Sequence, residues 1–373
     1  MYKAIVRESS YEYERLRKDV FDILVALDTG VITANKVVLI KPNLLRAATV
    51  EQAITTHPLI VRAVVEYVLQ MGARPLVMDS SCFGKFSRIV RETGLVDALS
   101  GLDVTLAKFT DSVKINSILP GIAVDGLQVK ETELAREAIE ADCIINLPKL
   151  KTHIQMGMTL AVKNLFGCVV GWRKPQWHIK IGQDRDQFAA LLLSIYRTLR
   201  PSINIIDGIL AMEGDGPGTG GRPRQLGVLV GANDALAIDV AVCQMLDLQP
   251  DELPTNKVAR KLGMIGEVSV DGKLTKVKDF AMPSTIRKIS DLAFIPSSTM
   301  NFVRQNLTSR PASKKKLCKL CNECVNICPA KAITNDGKSL HFDYEKCIRC
   351  YCCSEACPHG AIEAQKPLLR RFF

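Results

Sequence analysis

Nine of the thirteen cysteines lie in a short C-terminal stretch, and eight of them repeat one pattern. The pattern CxxCxxCxxxCP occurs twice, and every cysteine of the second run is offset from its counterpart in the first by the same interval. Its eight positions are Cys318, Cys321, Cys324, Cys328, Cys347, Cys350, Cys353 and Cys357. Two-residue gaps aim successive thiolates of one turn at a common centre, and neither run contains the histidines that many zinc sites use. The pattern therefore predicts two [4Fe–4S] clusters, whose chemistry is electron transfer.

The same spacing resembles that of bacterial two-cluster ferredoxins over residues 316–364. In those proteins the fourth cysteine of each run binds the other cluster. The resemblance implies one ligand set of Cys318, Cys321, Cys324 and Cys357, and a second of Cys347, Cys350, Cys353 and Cys328. Cys352 is a ninth cysteine inside the second run. It is either an unligated small residue or a competitor of Cys353, and the spacing favours Cys353 as the ligand.

Length and composition indicate an ordinary globular protein of two or more domains. The chain has 373 residues, of which 47% are hydrophobic and 24% charged, and this excludes a disordered or fibrous class. The N-terminus is charged and lacks a signal-peptide pattern, and no apolar stretch is long enough for a transmembrane helix. We therefore expect no membrane span and a cytoplasmic location, where clustered thiols stay reduced and bind metal. Iron–sulfur clusters also point to an oxygen-poor, anaerobic setting.

The net charge of +10 does not indicate a nucleic-acid partner. Residues 311–373 carry 11 Lys and Arg against 6 Asp and Glu, and residues 1–310 carry 38 against 33, so each part has a net charge of +5. Each oxidised cluster with its four thiolates adds about −2, which lowers the charge of the C-terminal part to about +1. Neither part then has the basic excess of a nucleic-acid-binding domain.

Short apolar runs alternate with helical patterns in the part of the sequence that precedes the connector. Strands are predicted at 36–40, 75–78, 143–146, 203–206 and 227–230, and helices at 58–71, 131–138, 186–199 and 235–246. This alternation is typical of an α/β domain with a mainly parallel sheet. The cysteine runs predict a small C-terminal α+β domain of the two-cluster ferredoxin type.

A basic, turn-rich segment ahead of Cys318 marks the boundary between these two parts. We place the α/β domain at 1–270, a connector at 271–313 and the ferredoxin-type domain at 314–373. The lysine run at 314–316 is interpreted as a solvated linker rather than a nucleic-acid patch.

A dense group of cations follows the predicted strand at 143–146. Its members are Lys149, Lys151, His153, Lys163 and Lys174. They flank apolar segments and follow a strand end, where an α/β sheet binds its ligands. We therefore favour an anion site for a carboxylate or phosphate over a solvated basic face.

Within that group, Lys151 and His153 are the catalytic candidates, and Lys149, Lys163 and Lys174 are the ligand-binding candidates. His153 is either a proton donor or a hydrogen-bonded structural residue. The neighbouring lysines are expected to lower its pKa, which favours the neutral imidazole.

Three carboxylates supply further candidates. Asp207, Glu213 and Asp215 lie close together beside a glycine-rich segment. They suit divalent-cation binding or general acid–base chemistry, and we assign Glu213 to catalysis and Asp207 to ligand binding. The glycine-rich segment lacks the helix that a dinucleotide-binding turn requires, and the chain has no P-loop motif. We interpret it as a loop that brings N–H groups near an anion, or as a plain surface loop.

Four segments resemble the domain-of-unknown-function family numbered 362. They are PKLKTH, TLAVKNLFG, IDGILAMEGDGP and NDALAIDVA, in that order. The resemblance covers residues 36–265. It implies an α/β domain, often fused to a ferredoxin-type module, and it carries over no catalytic residue.

These observations support three hypotheses for function. The leading one is an oxidoreductase that passes electrons through two [4Fe–4S] clusters to a small anionic substrate or cofactor bound in the α/β domain. We also expect a redox partner protein. The alternatives are a non-enzymatic electron carrier, with the α/β domain as a docking module, and a non-redox enzyme whose clusters are structural or sensory.

Overall fold

A ten-stranded sheet lies at the centre of the N-terminal domain. The computed structural model describes residues 2–81, 83–116, 131–285 and 309–365. The strands described before residue 286 are β1 (Tyr2–Glu8), β2 (Val37–Pro42), β3 (Arg74–Asp79), β4 (Thr105–Lys108), β5 (Ser112–Asn116), β6 (Glu131–Ala135), β7 (Cys143–Leu147), β8 (Lys149–His153), β9 (Gly157–Thr159), β10 (Ile203–Gly214), β11 (Gly221–Ala232) and β12 (Val268–Asp271). Strands β5 and β6 form a separate antiparallel pair.

The strand order of the sheet is β12-β1-β11-β10-β7-β2-β3-β4, with β8 and β9 branching from β10. From β10 to β4 along this row, each adjacent pair of strands is parallel. Strand β11 is antiparallel to both of its neighbours, β1 and β10. The prediction of a mainly parallel α/β sheet is therefore confirmed. Within β2, Val38 and Ile40 join one apolar core and Leu39 joins the other, because successive side chains of a strand point to opposite faces.

Helices cover both faces of the sheet and so bury both of these cores. One face carries α1 (Tyr13–Leu27), α2 (Pro58–Gln70), α3 (Phe86–Glu92) and α4 (Leu95–Ala98). The other carries α5 (Arg136–Glu140), α6 (Ala161–Asn164), α7 (Arg173–Ile181), α8 (Arg185–Leu199), α9 (Ala235–Met245) and α10 (Pro254–Lys261). In the part of the chain that the structure describes, no helix is long and apolar enough to cross a membrane.

The predicted helix at 131–138 is wrong over its first five residues. These residues form β6, which pairs with β5, and α5 begins only at Arg136. Thr132 and Leu134 are buried while Glu133 between them is only half-buried, so the period is that of a strand. The pairing with β5 overrides the helical propensity of the glutamates and alanine.

A small α+β module follows, as the cysteine runs predict. It contains β13 (Arg310–Ser313), α11 (Glu323–Ile327), β14 (Ile333–Asn335), β15 (Leu340–Phe342), α12 (Cys352–Ala356) and β16 (Ile362–Gln365). Strand β13 pairs with β16, and β14 pairs with β15. Residues 310–313 therefore pack within this module. The division into 1–270, 271–313 and 314–373 stays a prediction, since much of the connector lies outside the described residues.

The repeat of the cysteine pattern is also a structural repeat. Helices α11 and α12 begin at equivalent positions of the two runs, and each follows a residue in the left-handed conformation, Asn322 or Tyr351. The N–H of Ala332 donates to Cys328 Sγ, and the N–H of Ala361 donates to Cys357 Sγ, both at 3.2 Å. Each half of the module therefore presents its fourth cysteine in the same way.

Candidate functional site

Two small cavities in the C-terminal module are each lined by four cysteines. The outer cavity, of about 290 Å³ including its open mouth, is lined by Cys318, Cys321, Cys324 and Cys357. The inner cavity, of about 310 Å³ on the same measure, is lined by Cys328, Cys347, Cys350 and Cys353. Each cavity combines three cysteines of one run with the fourth cysteine of the other. The cysteines are free thiols throughout the described residues.

The thiols of one cavity are close enough to affect each other's ionisation. Burial, together with the charges of Cys357, Cys318 and Cys321, raises the pKa of the Cys324 thiol to about 11. Bound iron reverses this effect, because a coordinating thiol is deprotonated. Over the described ranges no group of three or more His, Cys, Asp and Glu is arranged to hold a single metal ion. Four thiolates around a cluster bind four different irons, so they stand further apart, and the eight soft donors fit [4Fe–4S] clusters.

A third and larger cavity lies between the two domains, and we call it the interdomain cleft. Its volume is about 720 Å³ including its open mouth. Lys41 and Asp79, at the carboxyl ends of β2 and β3, line one side, and Ile327, Cys352 and Glu355 of the C-terminal module line another. The cleft therefore lies beyond the carboxyl edge of parallel strands, where α/β sheets bind ligands.

Four lysines line the interdomain cleft: Lys41, Lys151, Lys163 and Lys174. Lys41 Nζ pairs with Asp79 Oδ1 at 2.9 Å, and Lys174 Nζ donates to the Ser80 carbonyl. Lys151 Nζ donates to Asn43 Oδ1 and to the Ile54 carbonyl, both at 2.6 Å.

Among the described residues, no carboxylate lies in ion-pair contact with the buried ammonium of Lys151. Its side chain is buried and both oxygens that it contacts are uncharged. Burial and the nearby charge of Lys163 lower the pKa of Lys151 well below its usual value. A bound anion would offset both effects, because an opposite charge at close range favours the protonated amine.

His153 connects the two domains across the cleft. Its Nδ1 accepts the N–H of Gln155 at 3.1 Å, which leaves the proton on Nε2, and Nε2 lies 3.1 Å from Glu355 Oε1. Burial and the charge of Lys163 lower the pKa of His153 to about 4. Burial opposes ionisation of Glu355, but His153 and Lys163 outweigh it and lower the pKa of that carboxyl to about 2. Near neutral pH the imidazole is therefore a neutral donor to a carboxylate.

Two predicted ligand-binding residues lie away from the cleft, in a buried cluster of their own. Lys149 Nζ pairs with Asp207 Oδ2 at 2.7 Å, and both side chains are buried. Tyr11 donates to Asp207 Oδ1 at 2.7 Å, and the N–H of His57 donates to Oδ2 at 2.9 Å. Neither Lys149 nor Asp207 lines the interdomain cleft, and their mutual contacts are those of a structural ion pair.

Glu213 also lies apart from the cleft-lining residues. Its carboxylate contacts Arg222 and Arg224, each at 2.8 Å, and accepts the N–H of Ala281 at 3.0 Å. Burial raises the pKa of Glu213, but these three contacts outweigh it and the net shift is downward. The carboxylate therefore closes the β10–β11 hairpin against the segment that follows β12.

Comparison with known proteins gives the chain a family. The family model described as "Domain of unknown function (DUF362)" matches residues 38–244. The chain belongs to the DUF362 family. This DUF362 chain is 34% identical to the thylakoid-associated protein sll1697 of Synechocystis sp. over 263 residues, which cover 70% of the chain and 79% of that protein. The resemblance predicted from the four sequence segments is thereby confirmed.

The C-terminal module of the DUF362 chain matches iron–sulfur proteins. The family model "4Fe-4S binding domain" matches residues 340–363, which include the second cysteine run. The chain is 39% identical over 61 residues to the electron transport protein HydN of Escherichia coli, covering 16% of this chain and 35% of HydN. It is 38% identical over 101 residues to NADH-quinone oxidoreductase subunit I of Pelobacter propionicus, covering 22% of this chain and 54% of that protein. The DUF362 chain is thus an iron–sulfur protein with an electron-transfer role.

Three charged residues of the cleft were not among the predicted site residues: Lys41, Asp79 and Glu355. Lys41 and Asp79 end neighbouring parallel strands, and the convergence of strand ends on one edge of the sheet is the sequence signal that joins them. Glu355 lies between two ligand cysteines, and no sequence pattern links it to His153. His178, a residue of α7, also lines the cleft; its ring stacks on Phe188 at 4.7 Å between centroids.

Acid is expected to destabilise this DUF362 protein through its buried histidines. Burial, opposed by Asp207 and reinforced by Lys149, lowers the pKa of His57 to about 4. The unfolded chain binds this proton near pH 6.5, whereas the folded chain binds it only near pH 4, so stability is present above 6.5 and is lost as the pH falls toward 4. At pH 5 His57 alone costs about 2 kcal/mol.

The variant His57→Asn tests this, because asparagine keeps a helix N-cap acceptor but does not titrate. Denaturant unfolding of the anaerobic holoproteins, wild type and variant, gives the free energy of unfolding at pH 7 and at pH 5. The difference between the two pH values is the loss of stability in acid. We expect the loss to be about 2 kcal/mol smaller in the variant. An equal loss in both chains would show that His57 is not responsible.

Proposed function

We propose that this protein is an oxidoreductase that passes electrons through two [4Fe–4S] clusters to a small anionic substrate held in the interdomain cleft. The carrying observation is that the inner cysteine cavity adjoins the cleft. Cys350 of the inner cavity packs with Cys352 and Ile327, and Cys352 and Ile327 both line the cleft. A substrate in the cleft would therefore lie one layer of side chains from the inner cluster.

The eight cysteines supply the donor sets for the two clusters, Cys318, Cys321, Cys324 and Cys357 in the outer cavity and Cys328, Cys347, Cys350 and Cys353 in the inner cavity. When bound, the clusters would supply single electrons, and these two sets of four cysteines would hold the clusters. Such clusters fit an oxygen-poor cytoplasm, where thiolates stay reduced.

The lysines of the cleft would bind the substrate through its negative charge. Asp79 already offsets Lys41, and Glu355 faces His153, which leaves a net positive charge among the charged lining residues. Within the part of the chain that the structure describes, the hydrogen bonds of Lys151 go to uncharged oxygens. An anion held by Lys151 would gain a charge-assisted hydrogen bond in a partly desolvated site. Lys163 and Lys174 extend the same cationic wall.

His153 would position the substrate and the C-terminal module relative to each other. As a neutral imidazole it adds no repulsion between the lysines, and its Nε2–H is held by Glu355. Lys149, Asp207 and Glu213 take no part in this cleft. They stabilise the β-strands around it through the ion pairs described above.

A second candidate function is electron transport without a substrate. It is favoured by the similarity of the C-terminal module to HydN, which is named as an electron transport protein. In that case the α/β domain would serve as a docking module, and the cleft would bind no small molecule that accepts electrons.

Reoxidation of the reduced clusters distinguishes the two functions. The anaerobic holoprotein is reduced with dithionite and desalted, and its visible absorbance is followed on adding anionic small-molecule fractions of a cell extract. We expect a fraction to reoxidise the wild type about 10- to 100-fold faster than Lys151→Met, the loss for one hydrogen bond to a charged group. Lys180→Met, at an exposed position of α7, is the matched control and should react like the wild type.

Iron content and cluster absorbance must be equal in all three proteins for the comparison to hold. Reoxidation that no fraction accelerates above buffer would favour the carrier function. Equal rates for Lys151→Met and the wild type would exclude the cleft as the substrate site. Turnover of a ligand after removal of the eight cysteines would instead support a non-redox enzyme with structural or sensory clusters.

A further inference from the structure

The two cysteine cavities differ in their access to solvent. In each cavity two of the four cysteines are buried, and the difference lies in the second cysteine of each run: Cys321 of the outer cavity is exposed, whereas its counterpart Cys350 in the inner cavity is buried. Electron transfer between proteins requires a short distance between the two redox centres, so an exposed ligand marks the side that an external carrier can approach. The outer cluster is therefore the side of the module that can accept electrons from another protein.

A basic segment contains the two more accessible cysteines of the outer cavity, Cys318 and Cys321. Residues 314–321 read KKKLCKLC and contain no acidic residue. Lys314 pairs with Glu363 at 2.9 Å, but across the described ranges Lys315, Lys316 and Lys319 form no ion pair, and all three are exposed. Lys319 also lines the outer cavity itself. These lysines are therefore free to pair with carboxylates of another molecule.

An exposed apolar side chain lies within the basic run. Leu317 is 46% exposed, and it is flanked in sequence by Lys316 and Cys318. Interfaces between proteins combine an apolar centre with a charged rim, and the rim governs the rate of encounter. Glu323 is the exposed acid that also lines the outer cavity, and it does not reverse the positive balance of the three lysines.

We propose that Lys315, Lys316, Leu317 and Lys319 form the docking surface for an acidic one-electron carrier protein, which reduces the outer cluster. This inference rests on the proposed function, since it names the source of the electrons that the cleft consumes. One electron leaves the reduced carrier, which becomes oxidised, and the outer cluster becomes reduced; no bond is made or broken and no proton moves. The electron then passes to the inner cluster beside the cleft.

The probe is an acidic plant-type [2Fe–2S] ferredoxin, and the readout is binding as well as reduction. Calorimetric titration with both proteins oxidised measures the complex when no electron can move. Stopped-flow mixing of the reduced ferredoxin with the oxidised holoprotein measures the second-order rate. The variant Lys315→Glu/Lys316→Glu/Lys319→Glu is compared with Lys108→Glu/Lys273→Glu/Lys278→Glu, which changes the net charge equally at exposed positions outside the C-terminal module.

At low ionic strength we expect the first triple variant to bind the ferredoxin at least about tenfold more weakly than the wild type. We expect the ferredoxin to reduce it at least about tenfold more slowly. Its rate should also lose most of its dependence on salt, and the control triple variant should stay within about twofold of the wild type. Iron content and absorbance show that both variants retain their clusters. Neither readout involves the cleft or its ligand, so this result is independent of the reoxidation test.

Equal effects in the two triple variants would overturn the proposal, because the attraction would then depend on total charge alone. Unchanged binding and reduction in the first variant would overturn it as well. If the first triple variant lost the binding to vesicles of anionic lipid that the wild type shows, but still bound ferredoxin, the lysines would be assigned to a membrane surface instead.

Discussion

Replacing Cys357 by alanine is expected to remove the same cluster as replacing Cys324 by alanine. Although Cys357 belongs to the second run in sequence, it lines the outer cavity with Cys318, Cys321 and Cys324. Iron should fall from about eight to about four atoms per chain in either variant, because a cubane cluster that loses one of its four thiolates is not retained. Iron analysis and electron paramagnetic resonance of the reduced proteins measure the loss and identify the remaining cluster.

The complementary pair is Cys328→Ala and Cys353→Ala, which should both lose the inner cluster. The two pairs of variants should therefore give two different residual spectra. If each run instead held its own cluster, Cys357→Ala would match Cys353→Ala, and the pairing proposed for the two cavities would be wrong.

Cys352→Ala is the matched control within the second run. Cys352 is buried and lines the interdomain cleft, but it lines neither cysteine cavity. The variant should retain about eight iron atoms. A loss of iron equal to that in Cys353→Ala would make Cys352 a ligand.

The turns that carry the cysteines could be predicted from the sequence because ligand spacing is a local property. Two residues between thiolates fix a turn, and the structure repeats that turn with left-handed residues at Leu320 and Arg349. The parallel sheet was predictable for a similar reason, since strands buried on both faces read as continuous apolar runs. The strand at 131–135 was not predicted, because its glutamates and alanine favour a helix and its pairing with β5 depends on a distant segment of the chain.

The partition of the lysines could not be predicted from their spacing. Lys149 and Lys151 both lie in β8 with one residue between them, yet Lys149 pairs with Asp207 while Lys151 contacts Asn43 in the cleft. The register between β8 and β10 shifts between these positions, and that irregularity separates their surroundings. The contact of His153 with Glu355 joins side chains of two domains that are far apart in the sequence, so only the docking of the module reveals it.

Replacing Lys149 by methionine is expected to destabilise the α/β domain by about 3–5 kcal/mol. The substitution keeps the volume of the side chain but leaves Asp207 buried without its cation. Tyr11 and the His57 N–H would still donate to that carboxylate, yet two neutral donors do not replace an ammonium at 2.7 Å. A loss of this size is a large share of the stability of a typical domain.

The double variant Lys149→Met/Asp207→Asn separates the lost pair from the stranded charge. Removing both charges should recover a substantial part of the loss, because breaking a buried pair costs more than replacing it with neutral groups. Denaturant unfolding of the holoprotein, followed by the fluorescence of Trp172 and Trp177, reports on the α/β domain because both tryptophans lie there.

The same variant decides between a structural and a ligand-binding role for Lys149. If Lys149 is structural, Lys149→Met lowers the free energy of unfolding, while the reoxidation rate of the surviving folded protein stays near that of the wild type. If Lys149 binds the substrate, the rate falls as it does in Lys151→Met and stability changes little. The two lysines lie on one strand and carry the same charge. Loss of stability in one variant and loss of rate in the other would therefore follow from the carboxylate of Asp207, which contacts Lys149 and not Lys151.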